Sequence, residues 1–276
     1  MKDNSRKQPH IAIRVLRVVA VVYLAALVFA LACEKSLIYF PTRFPNGDWG
    51  LPDSVREVSF RSSDGETIVA WWFESDKPKG TILFSHGNGG DITIRASFVG
   101  QLRREGFSVL LYDYRGYGKS SGSPDEKGLY LDAVAAYDYL RDVLNFQPGK
   151  IILLGESLGS AVSVELAKRR EVAGLVLLSP FTKFGEMAWR TLPIPVGWAL
   201  KSRYDSIGKI RNIHTPLAIV HGDRDTLVPI EMGQELYDAH PGTKSFYQVK
   251  GAGHNDLSDL GIDEIFRALN FVFVGR

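Results

Sequence analysis

One cysteine in 276 residues, Cys33, leaves no partner for an internal disulfide and too few thiols for a cysteine-built zinc site. The redox compartment is therefore not readable from cysteine usage. Net charge is also scarce: 33 basic and 31 acidic residues give +2. Five of the basic residues (Lys2, Arg6, Lys7, Arg14, Arg17) crowd into the first 17 positions beside one acid, Asp3. The remainder carries 28 basic against 30 acidic side chains, so the folded part lacks the basic stripe of a nucleic-acid binder. No internal repeat or low-complexity tract is present. With 45% apolar and 23% charged residues, the chain is neither intrinsically disordered nor collagen-like, and its length suits one large domain or two small ones.

What is present first is an apolar run. Residues 18–33 (VVAVVYLAALVFALAC) are uncharged and would span about 24 Å as a helix, somewhat less than a bilayer core of about 30 Å. Val15 and Leu16 lengthen it if Arg17 snorkels toward the headgroups. The basic residues before the run and the sparse Lys35 and Arg43 after it predict a cytosolic N-terminus, with everything beyond residue 36 on the non-cytosolic side. Three outcomes fit the segment 1–36: an uncleaved single-pass anchor, a signal peptide cleaved after Ala30-Leu31-Ala32, or a lipoprotein signal with Cys33 as the lipidated residue. The run is longer than the usual signal core, which favours the anchor. A chain starting near Leu37 is expected to be soluble and active.

From residue 55 onward short apolar runs alternate with amphipathic stretches. Residues 55–60 and 67–73 flank the turn Ser63-Asp64-Gly65 and predict an antiparallel hairpin. Further strands are predicted over 81–84, 108–112, 151–154, 175–178, 217–220 and 245–249, with helices over 92–105, 126–144, 158–169, 230–240 and 262–274. Strands buried on both faces read as continuous apolar runs, so the pattern is a mostly parallel α/β sheet covered by helices. The connection between Pro180 and Pro216 is long for a crossover and holds Trp189, Leu192-Pro193-Ile194-Pro195 and Trp198. It predicts a short lid over about 181–215.

Ligands of such sheets bind at the carboxyl ends of the strands. There, after 151–154, stands Gly155-Glu156-Ser157-Leu158-Gly159, a G-x-S-x-G turn from strand to helix that exposes Ser157 at the top of the sheet. A serine hydroxyl needs a base, and the base needs an orienting acid. His254, in Gly253-His254-Asn255, follows the last strand; Asp223 and Asp225, in His221-Gly222-Asp223-Arg224-Asp225, follow the strand before it. Either aspartate could serve on position alone. His10, His214 and His240 lie away from these strand ends, and His221 ends a strand, where a structural hydrogen bond is expected.

Two more strand ends complete a resemblance. Ser85-His86-Gly87-Asn88-Gly89-Gly90 is similar to the oxyanion loop of the α/β-hydrolase superfamily, and Asp113-Tyr114-Arg115-Gly116-Tyr117-Gly118-Lys119-Ser120 to its D-x-R-G-x-G-x-S turn. Residues 37–276 resemble that superfamily, and within it the single-pass membrane-anchored serine hydrolases that include protein depalmitoylases. The resemblance implies Ser157 as nucleophile, Asp225 rather than Asp223 as acid, His254 as base, and the backbone N–H groups of Asn88 and Leu158 as oxyanion donors. It implies ester or thioester hydrolysis on small-molecule or lipid-like acyl substrates, without metal or organic cofactor. A peptidase or amidase on the same fold, or a silent binding protein, are the alternatives. His86 is expected to brace the loop, and residues 113–120 to form a structural turn.

Overall fold

The computed structural model describes residues 8–52, 54–191 and 197–276 less the last two. Lys2, Asp3, Arg6, Lys7 and the Leu192-Pro193-Ile194-Pro195 part of the expected lid lie outside the described residues. In chain order the helices are α1 (Gln8–Ala32), α2 (Glu34–Ile38), α3 (Ala96–Arg104), α4 (Glu126–Asp138), α5 (Leu158–Arg169), α6 (Phe184–Thr191), α7 (Ser206–Ile210), α8 (Ile230–Ala239), α9 (Leu257–Leu260) and α10 (Ile262–Val274). The strands are β1 (Phe40–Pro41), β2 (Val55–Arg61), β3 (Thr67–Phe73), β4 (Gly80–Ser85), β5 (Gly89–Gly90), β6 (Phe107–Tyr112), β7 (Ile151–Glu156), β8 (Gly174–Leu178), β9 (Leu217–Gly222) and β10 (Lys244–Val249).

Eight strands form one sheet in the order β10-β9-β8-β7-β4-β6-β3-β2. The β2–β3 hairpin is antiparallel, β3 meets β6 antiparallel, and every other pairing is parallel. The expected hairpin and mostly parallel sheet are what the chain forms. The central strands alternate their apolar side chains between two cores because successive residues face opposite sides. Leu83 and Leu153 join the helices α4, α5, α7 and α8 on one face, whereas Ile82, Phe84, Ile152 and Leu154 join α3 and α10 on the other. Such two-sided cover is why these strands carry no polar face.

Aspartates open two of the described helices. Asp125 accepts the Gly128 N–H to open α4, and Asp205 accepts the Gly208 N–H to open α7. The expected helix over 92–105 begins instead as a 3-10 turn, Ile92–Arg95, because Asp91 captures the Thr93 N–H before α3 starts.

α1 extends further back than the uncharged run. Its stretch Ile11–Ala32, 22 residues including Arg14 and Arg17, is long and apolar enough to cross a membrane, about 33 Å of helix. The uncharged run alone is shorter because it begins after Arg17, and the helix continues through Arg17 and Arg14 beyond the Val15-Leu16 extension. Most of the helix is exposed, but Tyr23, Ala26, Leu27, Ala30 and Cys33 form a covered stripe at three- and four-residue spacing. The Trp198 Nε1 donates to the Tyr23 hydroxyl at 3.2 Å. Farther along, the Glu34 carboxylate is buried and accepts the backbone N–H groups of Lys201 and Ser202. The boundary expected at residue 36 falls inside α2, which Glu34 ties to Lys201 and Ser202 in the connection expected to form a lid.

Candidate active site

Four strand ends supply the site. Between β7 and α5 the chain reverses at Ser157, whose φ of 51° is left-handed and unusual for a side-chain-bearing residue. The turn is tight enough that a Cβ on Gly159 would run into the Ser85 carbonyl oxygen, and one on Gly155 would lie 2.6 Å from the Gly159 oxygen. Glycine is therefore required on both sides. The Ser157 N–H is held by the Leu178 carbonyl at 2.9 Å, and Ser160 Oγ donates to the Gly155 carbonyl, so the strained residue is braced from two strands.

The Ser157 Oγ lies 3.0 Å from His254 Nε2, and His254 Nδ1 lies 2.7 Å from Asp225 Oδ2. The other carboxylate oxygen of Asp225 accepts the N–H groups of Leu227 and Val228. Burial pushes the Asp225 carboxyl up, but His221, His254 and the Val228 N–H outweigh it, and its pKa lies below the ordinary carboxylate range. Asp223, exposed, instead accepts the Gly251 N–H at 2.6 Å and ties down the loop that carries His254. His221 places Nε2 2.8 Å from the Val228 carbonyl, a contact that shapes the loop carrying Asp225.

Asn88 and Leu158 line the same cavity as Ser157. Leu158 is the first residue of α5, where a backbone N–H has no intrahelical acceptor and the helix dipole favours negative charge. Asn88 is fixed by its own groups: its carbonyl accepts from Phe40 N–H and the Tyr117 hydroxyl, and its Nδ2 donates to the Ile38 carbonyl. His86 is fully buried with Nδ1 2.7 Å from the Gly87 carbonyl and its ring tilted against Tyr114. Burial first, then the nearby Arg95, lowers its pKa to about 3, so it is neutral. The 113–120 turn is locked by Arg115, which pairs with Asp132 at 2.8 Å and Asp64 at 2.7 Å.

Two recesses meet at Ser157. One, about 440 Å³, is apolar and bounded by the end of α1, by α2 and by Phe181, Phe184 and Leu200 of the connection between β8 and β9. The other, about 410 Å³, holds His254, Arg95 and Glu156. Arg95 Nε donates to Glu156 at 2.8 Å; burial pushes this carboxyl up, but the guanidinium outweighs it and the pKa lies below the usual value. A larger open recess of about 890 Å³ beside Trp189 and Trp198 touches none of these residues. Among the described residues no group of three or more histidine, cysteine or carboxylate side chains could hold a metal ion. Sequence reading missed Arg95, Glu156 and Glu34. Glu156 stands inside the G-x-S-x-G motif and Glu34 is the first charge after the apolar run, signals that were present but have no defined partner in one dimension.

The chain matches the family profile described as Serine aminopeptidase, S33, over residues 76–210. It is 38% identical over 250 residues to an uncharacterized protein of Mycobacterium tuberculosis, covering 89% of each chain. It is 36% identical over 211 residues to the alpha/beta hydrolase domain-containing protein 17B of Homo sapiens, covering 76% of this chain and 72% of the other. The chain belongs to the alpha/beta hydrolase family. The same fold is found in a Pyrococcus furiosus esterase, with a TM-score of 0.74 at 21% identity over 86% of this hydrolase and 98% of the esterase. This protein is accordingly a hydrolase, with the fold its strand ends predict.

Proposed function

We propose that this hydrolase cleaves acyl esters or thioesters through an acyl-enzyme on Ser157. The observation that carries the reading is the hydrogen-bonded chain from Ser157 Oγ through His254 to Asp225. His254 takes the hydroxyl proton as Ser157 attacks the acyl carbonyl, and Asp225 holds the imidazole in the tautomer that leaves Nε2 free to accept. The N–H groups of Asn88 and Leu158 stabilise the oxyanion. Protonated His254 then gives its proton to the departing alcohol or thiol, and water repeats the sequence on the acyl-enzyme. The apolar recess suits the acyl portion and the recess with Arg95 and Glu156 the leaving group.

The catalytic domain belongs to a single-pass membrane protein anchored by α1, with a cytosolic N-terminus and the domain on the non-cytosolic side. Support comes from the 22-residue apolar span and the basic residues at its N-terminal end. Protease added to intact cells should reach the domain; full protection until lysis would reverse the orientation.

The profile's peptidase description favours a second reading, aminopeptidase activity. Against it, the carboxylates lining the two recesses already have partners: Glu156 with Arg95 and Glu34 with two backbone N–H groups. A substrate ammonium group would have to displace them. Esters, thioesters and aminoacyl anilides tested side by side decide between the readings. Ser157→Ala should lower kcat by about 10⁶ and abolish fluorophosphonate labelling; retained turnover or labelling would remove Ser157 from the reaction.

A further inference from the structure

The apolar recess at Ser157 is not enclosed by the hydrolase fold alone. Ala30 on α1, and Glu34, Leu37 and Ile38 on α2, line it opposite Phe184 and Leu200. Glu34 turns its carboxylate to the Lys201 and Ser202 N–H groups, so a charged residue stands in an apolar wall with its charge already satisfied. Leu37 and Phe40 are 43% and 54% exposed while also lining the recess, which marks them as its rim. Four residues of chain separate Leu37 from Ala32, the end of the apolar span. The domain also follows α1 backward: the Trp198–Tyr23 contact lies nine residues before Ala32, about 14 Å along the helix axis. An anchor that spans a bilayer therefore brings the lid region, with exposed Trp189 and Trp198, into the same leaflet.

We infer that the recess opens toward the bilayer and that an acyl chain already residing in the membrane enters it laterally, between the α1–α2 junction and the lid region, with the membrane segment itself forming one wall of the chain-binding site. This rests on the proposed acyl chemistry at Ser157. It gives the anchor a part in specificity. A chain leaving the leaflet for an apolar recess keeps its methylenes out of water throughout, whereas a route through solvent exposes every one of them to water.

The test uses the full-length protein in phosphatidylcholine vesicles and a dodecyl fluorophosphonate carrying a diazirine near the chain end. Expected are phosphonylation of Ser157 and, after irradiation, cross-links that map to residues 30–40. Phosphonylation with cross-links only outside 30–40 overturns the inference and leaves the serine chemistry standing. Failure to label a folded wild-type protein, judged by its thermal transition, overturns the serine chemistry and the inference with it. Ala30→Phe supplies a second readout. Its ratio of kcat/KM for lauroyl over butyryl thioester should fall at least tenfold, and an unchanged ratio in a protein that still labels at Ser157 overturns the wall assignment. Should Ala30→Phe not fold, Leu37→Asp at the exposed rim should raise KM for the lauroyl thioester more than for the butyryl one; equal effects count against lateral entry.

Discussion

At the scale of single residues, the two aspartates after β9 make opposite predictions from nearly adjacent positions. Asp225→Asn should lower kcat by about 10⁴, because the amide disturbs the tautomer of His254. Asp223→Asn should keep most turnover, since its partner is the Gly251 N–H, which an amide oxygen also serves. Steady-state kinetics on one ester separate the two. His86 gives a prediction in pH. With a native pKa of about 3 and an unfolded value of about 6.5, it takes up a proton on unfolding at every pH in between. Stability is therefore full above about pH 6.5 and falls toward pH 3, by about 1.4 kcal/mol per pH unit once well below 6. His240, also held below its ordinary value by burial, adds to the slope. Urea midpoints between pH 7 and 5 should show the decline, and His86→Asn should flatten part of it. The strained turn at Ser157 and the strand-end loop of His254 were legible because such a turn needs its glycines and ligand-facing groups of an α/β sheet follow its strands. The choice between Asp223 and Asp225 came from family likeness, because two aspartates on one turn differ only in where three dimensions send them.

Among elements, the hairpin β2–β3, the turn after β6 and helix α4 are joined by a single guanidinium. Arg115 reaches Asp64 and Ser62 beyond β2 and Asp132 on α4, and Asp132 is fully buried. Burial raises the Asp132 carboxyl, and the Arg115 interactions only partly offset it. Arg115→Ala leaves that carboxylate without its counter-charge and should cost about 3–5 kcal/mol, read from chemical denaturation. Arg115→Lys should recover only part of the loss, since one ammonium cannot satisfy both carboxylates bidentately. Strand and helix order were readable because buried parallel strands carry continuous apolar runs. The pairing of β1 with β5 was not, since two-residue strands ending in Gly89-Gly90 show no alternation. Nor was the covered stripe of α1, because a helix apolar on every side carries no sequence mark for the side that meets protein.

For the molecule as a whole, the packing of α1 and α2 revises what truncation should do. Sequence alone predicts a soluble, active chain from Leu37. Removing residues 1–36 also removes Ala30 and Glu34, opening the apolar recess and leaving two backbone N–H groups without their acceptor. That chain should melt lower than one starting at residue 29 and lose activity on long acyl chains. Glu34→Ala in the full-length protein should cost about 1–3 kcal/mol through the same two donors. Thermal melts of the three variants rank them. Phe40 and Ile38 hold both polar ends of Asn88, by backbone N–H to its carbonyl and by carbonyl to its side chain. The loop proposed to face the reacting carbonyl is thus sewn to the thread that leaves α1. Whoever exchanges α1 for another helix, in nature by gene fusion or in the laboratory by grafting, must make the splice upstream of residue 30, or the seam unpicks the loop that carries Asn88.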